Sequence, residues 1–159
     1  MTSELIVRIL ADGAVVPIIL LGSYALIFKV PKGKRLQAYT RILMAGLTAY
    51  LIAKLASAIY QPSVERPFEL FGAVAGASFL NNPGFPSDHV LFISAITCAV
   101  WFETKQKLIT WVLICLTISV GVGRVLALVH TPTDVIGGAV IALIGALWYL
   151  NTIISSAKS

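Results

Sequence analysis

The sequence predicts an all-α, polytopic transmembrane helix bundle of five to six spans with an outward-facing polar site, and three observations predict it. Hydrophobic residues make up 58 % of the chain and charged ones only 12 %, with a mean hydropathy of +0.90, whereas soluble domains carry about 25 % charged residues. Apolar runs recur at lengths close to the roughly 20 residues that cross a bilayer. The only two histidines, His89 and His130, sit in short polar clusters at the ends of such runs, and an ionisable group at membrane depth costs enough to mark a function. The 159 residues read as one membrane-embedded domain, since the spans leave too little chain for a soluble module.

Taken in order, residues 1–12 set Leu5, Ile6, Ile9 and Leu10 against Glu4, Arg8 and Asp12 at helical spacing, the pattern of a short interfacial helix. No cleavable signal is evident, since residues 1–10 carry Glu4 and Arg8 without a basic start followed by a long apolar stretch. The first crossing runs from Gly13 to Phe28 and the second from Arg41 to Tyr60. Residues 61–86, rich in Pro, Gly, Asn and Phe, form the one long connection, and a loop of that length is usually either functional or disordered. The third crossing runs from Ser87 to Phe102, the fourth from Leu108 to Val129 and the fifth from Thr133 to Ile154. Ser87 is expected to cap the third helix, and Thr131-Pro132-Thr133-Asp134 to open the fifth as a capping box with proline at its first position. Gly121, Gly123, Gly137, Gly138 and Gly145 are close-packing positions. Cys98 and Cys115 lie within apolar runs and read as small packed side chains.

Charge orients the bundle. Lys29, Lys32, Lys34, Arg35, Arg41, Lys105, Lys107 and Lys158, eight of the twelve basic residues, fall on one side of the five spans, which the positive-inside rule makes cytoplasmic. Trp101, Trp111, Trp148 and Tyr149 fall near the same side, as an aromatic belt should. The net charge of +5 is thus mostly an orientation signal that requires no nucleic-acid partner. The remaining four are Arg8, Lys54, Arg66 and Arg124, and all but Arg8 join the polar clusters, which map to the outer face.

Those clusters carry the parts that phosphoryl transfer needs: cations on the non-bridging oxygens, an in-line nucleophile and an acid for the leaving oxygen. Lys54, Arg66 and Arg124 supply the cations. His130 can act as nucleophile if Asp134 holds its second ring nitrogen, and His89 as the acid that later activates water. Helix N-termini at Ser87 and Thr131 add N–H groups for an anion. No cluster of carboxylates offers an oxygen-rich metal cage, so neither metal nor cofactor is expected.

Each residue has a plainer reading. Asp134 could serve only the cap, Lys54 could snorkel, Arg66 could lie on a solvated loop face, and His89 could be an interfacial side chain. Arg124 resists this, because an arginine inside a span costs roughly 2.5 to 3.5 kcal/mol on insertion scales.

The ordered set Lys54, Arg66-Pro67, Pro86-Ser87-Asp88-His89 and Gly123-Arg124 with His130 and Asp134 resembles the three-part signature of the type 2 phosphatidic acid phosphatase superfamily over about residues 40–155. Phe85-Pro86-Ser87-Asp88-His89 and the run from His130 through Pro132, Asp134, Val135, Ile136 and Gly137 look most like bacterial undecaprenyl-diphosphatases. The resemblance implies a metal-free lipid phosphatase in the cell membrane. In it His130, His89 and Asp134 act through a phosphohistidine, and Lys54, Arg66, Arg124, Ser87 and Asp88 bind phosphate. Undecaprenyl diphosphate is the implied substrate, with phosphatidylglycerophosphate or phosphatidic acid as alternatives. A noncatalytic lipid-phosphate binder or flippase-like protein is the alternative of another class. Eleven residues separate Lys54 from Arg66, where the superfamily more often has six, and Gly123 replaces a common serine. Membrane lipids are the expected surroundings, and homo-oligomer contacts or the N-terminal segment are expected to complete a bundle one span short.

Overall fold

The computed structural model describes residues 2–61, 65–80 and 82–150. Its helices are α1 (Thr2–Arg8), α2 (Val15–Phe28), α3 (Arg35–Ile59), the single turn α4 (Pro67–Leu70), α5 (Asp88–Thr104), α6 (Lys107–Leu126) and α7 (Pro132–Gly145), with short 3₁₀ turns at Lys32–Lys34 and Ala146–Tyr149. The all-helical expectation holds. The end of the expected fifth crossing at Ile154, and Lys158, lie outside the described residues.

Of the segment expected to lie at the interface, the described residues 2–12 do not form a separate helix. A π-helical turn at Ile9–Gly13 joins α1 to α2, with the Ala14 N–H reaching the Ile9 carbonyl at 2.8 Å. The extra residue of a π turn lets the helix run on past Asp12 and Gly13, and Ser3–Phe28 becomes one stretch of 26 residues. Among the described residues, four helical stretches are long and apolar enough to cross a membrane: Ser3–Phe28, Lys32–Ile59, Lys107–Leu126 and Pro132–Tyr149. At 17 residues, α5 is shorter, yet it packs against α2, α3, α6 and α7.

The packing is that of a bundle in lipid. Helix α3 buries alanines at 38, 45, 49 and 53 and turns Leu43, Leu47, Leu51 and Leu55 outward. Small residues let backbones approach where lipid tails are as apolar as leucine, so shape rather than hydrophobicity selects the buried face. Ile18, Ile93, Val100, Leu113 and Val120 join α2, α5 and α6 in the largest core cluster, while Ala49, Ala53, Leu91, Ile141 and Ala142 join α3, α5 and α7. Thr97 and Thr117 share a hydrogen bond at 3.1 Å between α5 and α6. Cys98 is partly buried as expected, but Cys115 lies exposed on α6, on the apolar face that lipid would cover. The chain is an integral membrane protein of helical architecture.

Arg41 and Glu103 meet where α3 begins and α5 ends, Nε and Nη2 each donating to one carboxylate oxygen at 2.7 Å. Phe102 stacks on Tyr149 beside them, ring centroids 5.2 Å apart. This pair closes the end of the bundle opposite His89.

Candidate active site

Helix α7 presses closely enough on α5 to fix the geometry of the polar end. A Cβ on Gly138 would stand 2.7 Å from the Ser87 carbonyl oxygen, so only glycine permits the approach, and the Ser87 N–H then donates to the Asp134 carbonyl at 2.9 Å. The start of α5, with Ser87, Asp88 and His89, is thereby held against the start of α7. Residues 65–80 and 82–86 fold over this end, pinned by the Phe68 and Gly76 N–H groups donating to the carbonyls of Leu128 and Ala127 at 3.0 Å each.

Arg66, Asp88, His89, Arg124 and His130 line one small cavity together with Leu80, Asn82, Pro83 and Pro86. Three separate polar clusters of the sequence thus converge on one place. The space they enclose is about 10 Å³, near the lower limit for a single water. Arg66 is held by carbonyl oxygens: Nη1 donates to Val129 at 2.6 Å, and Nη2 to Leu80 at 2.9 Å and to both the backbone and side-chain oxygens of Asn82 at 3.1 Å. Its guanidinium also lies 5.3 Å over the Phe79 ring. Burial lowers the Arg66 pKa, against the opposing pull of Asp134, Glu69 and Asp88. Asn82 bridges onward, its Nδ2 donating to Asp88 Oδ2 at 2.8 Å.

The turn before α7 forms the expected capping box with Pro132 at the helix start. The Thr131 N–H donates to Asp134 Oδ2 at 2.8 Å, and Thr131 Oγ1 accepts from the Asp134 N–H at 3.2 Å. The same Asp134 Oδ2 stands 3.5 Å from His130 Nδ1, too far for a good hydrogen bond, and Nδ1 has no other partner. The capping and the His-orienting readings of Asp134 therefore describe one carboxylate at one place. Burial lowers the His130 pKa, and the nearby Arg124 and Arg66 act in the same sense while Asp134 opposes them.

Two sequence expectations are corrected or displaced. Ser87 stands at the N-cap of α5 but its side chain makes no capping bond; its hydroxyl is wholly buried and unpartnered, because α7 packs over it. Lys54 does not line the cavity: it is exposed on α3 with its ammonium 5.2 Å from the centre of the Tyr50 ring. Three residues at this end escaped the sequence reading. Asp12 Oδ1 pairs with Arg124 Nη1 at 2.9 Å, and its Oδ2 accepts the Ser78 N–H at 2.9 Å. Arg124 Nη1 also donates to the Ser78 carbonyl at 2.7 Å, and Asn82 joins Arg66 to Asp88. An isolated acid in an apolar run was the available signal for Asp12; nothing marked Ser78 or Asn82.

Among the described residues, no three of His, Cys, Asp and Glu come together as a group that could hold a metal ion. The arrangement offers two buried arginines and a histidine backed by a carboxylate, a set suited to a phosphate group. No curated protein matches the chain, and no solved structure matches it. The family model of the PAP2 superfamily, the phosphatidic acid phosphatases, matches residues 36–156. Membership accounts for the ordered motifs and for their meeting at one end of a membrane bundle: the chain belongs to the PAP2 superfamily.

Proposed function

We propose that the protein is a metal-independent lipid phosphatase of the cell membrane that hydrolyses undecaprenyl diphosphate to undecaprenyl phosphate through a phosphohistidine on His130. The observation that carries this reading is the shared cavity of Arg66, His89, Arg124 and His130, with Asp134 beside His130 Nδ1. Because Nδ1 faces the carboxylate, Nε2 is the nitrogen available for attack.

In this mechanism the terminal phosphate settles on Arg66 and Arg124, a phosphate oxygen taking the place of Asn82 Oδ1 on the Arg66 fork and the loop around Leu80 and Asn82 moving outward. The N–H groups at the start of α5, next to Ser87, face the same anion. Asp88 is itself an anion, so its part in binding runs through Asn82 and the helix start. Lys54 meets the phosphate only by swinging in from the α3 surface. Nε2 of His130 forms a bond to phosphorus as the bond to the leaving lipid phosphate oxygen breaks, and His89 protonates that oxygen. Asp134 stabilises the imidazolium as its Nδ1 proton closes the 3.5 Å gap. His89 then takes a proton from water, which attacks phosphorus, breaks the P–N bond and releases inorganic phosphate.

The bundle is read as five crossings, the four long apolar stretches together with α5, with the basic residues around Lys29–Arg41 and Lys105–Lys107 in the cytoplasm and the cavity at the outer leaflet. The test is phosphate release by the purified protein against a panel of lipid mono- and diphosphates in excess chelator. Preference for a polyprenyl diphosphate supports the reading. Preference for phosphatidylglycerophosphate or phosphatidic acid would change the substrate, and activity restored only by added metal would end the mechanism.

A further inference from the structure

We propose that Asp12 is a positioning residue that fixes Arg124 by one end of its guanidinium and so presents the other edge to the phosphate of the substrate. The inference rests on the phosphatase reading for its ligand, but its geometry stands apart from that reading. Arg124 is only 1 % exposed, and its Nη1 is fully engaged by Asp12 Oδ1 at 2.9 Å and the Ser78 carbonyl at 2.7 Å. Its Nε is buried and has no hydrogen-bond partner. A buried guanidinium N–H without an acceptor costs free energy, and this one belongs to a side chain lining the cavity of His89 and His130. Among the described residues none accepts from this N–H, and a phosphate oxygen fits it.

Two local features bring Asp12 to this place from 112 positions away. The π turn at Ile9–Gly13 re-aims the side chains that follow the extra residue, which is what such turns do in long helices. Gly123, next to Arg124, removes the obstacle on α6: a Cβ there would stand 2.6 Å from the Ala11 nitrogen and 2.9 Å from its Cα. The glycine that replaces the more usual serine of the family is thus the seat of the N-terminal segment. Asp12 also accepts the Ser78 N–H at 2.9 Å, so the carboxylate ties together α6, the π turn and the loop that covers the cavity.

The test is equilibrium binding of inorganic phosphate, with orthovanadate inhibition of lipid phosphate hydrolysis, on the full chain in detergent. Asp12→Asn should weaken phosphate and vanadate by roughly tenfold, within the coupling that contacting pairs display, and should have no further effect once Arg124→Ala is present. Equal losses in both backgrounds would mean a structural role, and unchanged or tighter binding would mean that Asp12 competes with phosphate; either overturns the proposal. If Asp12→Asn does not fold, Gly123→Ala keeps both partners and separates them: the same loss is expected, and unchanged binding overturns the proposal. A wild type that binds phosphate without hydrolysing lipid phosphates, yet loses binding in Asp12→Asn, retains the inference and ends the phosphatase reading. A wild type that hydrolyses them while Asp12→Asn binds phosphate normally ends the inference alone.

Discussion

His130 Nδ1 faces Asp134 Oδ2 across 3.5 Å, while that same oxygen already accepts the Thr131 N–H at 2.8 Å. One carboxylate thus starts a helix and faces the ring nitrogen of a histidine. Asp134→Asn separates the two tasks, because the amide oxygen still accepts from Thr131 whereas the amide nitrogen would donate to Nδ1 and favour the wrong tautomer. Turnover should fall by several orders of magnitude, as the equivalent change does in a Ser-His-Asp triad, with thermal stability lowered by less than about 1 kcal/mol. Asp134→Ala should lose both. Steady-state hydrolysis beside thermal unfolding of the two variants checks this.

The burial of His130 sets a pH dependence. Its folded-state pKa lies below the usual value, about 6.5, so the unfolded chain takes up a proton before the folded one does. The contribution to stability is therefore complete above about pH 6.5 and is lost as pH falls through the window beneath it. In the proposed mechanism neutral His130 attacks phosphorus, so the acid limb of kcat/KM should also lie below about 6.5. Unfolding measured against pH should give a shallower acid slope in His130→Gln than in the wild type.

At the far end of the bundle, Arg41 donates two bonds of 2.7 Å to Glu103, whose side chain is only 4 % exposed. Removing one partner strands the other charge, so Glu103→Leu should cost about 3 to 5 kcal/mol, whereas Arg41→Leu with Glu103→Leu should recover most of that loss. A double-mutant cycle of unfolding in detergent checks the prediction.

Orientation has its own test. With Cys98 and Cys115 replaced by serine, Val74→Cys on the covering loop, 92 % exposed, should react with an impermeant thiol reagent in intact cells. Lys107→Cys should react only after lysis. The reverse pattern would put the cavity on the cytoplasmic side.

Much of this molecule was legible in one dimension. Hydropathy alone picks out α2, α3, α6 and α7, because lipid demands long apolar runs, and the clusters around Arg66, His89, Arg124 and His130 stand out because charge there is costly. Other features depend on where distant backbones meet. Asp12 and Gly13 look like a helix break, and only the π turn carries the chain through them to Arg124. Arg41 reads as an orientation signal until Glu103, 62 positions on, lies beside it. The Ser87 hydroxyl is expected in a cap, but contact of α7 at Gly138 buries it. Lys54 stands at a plausible spacing in the motif, yet the helical rotation of α3 turns it outward over Tyr50.

In the proposed mechanism His130 takes the phosphoryl group. Rapid-quench labelling with an activated aryl phosphate tests it directly, because a good leaving group needs little proton assistance. The wild type should yield an acid-labile phosphoenzyme mapping to His130, His89→Ala should still form some of it, and His130→Ala none. Full turnover by His130→Ala, or a label on another residue, would rule out His130 as the nucleophile.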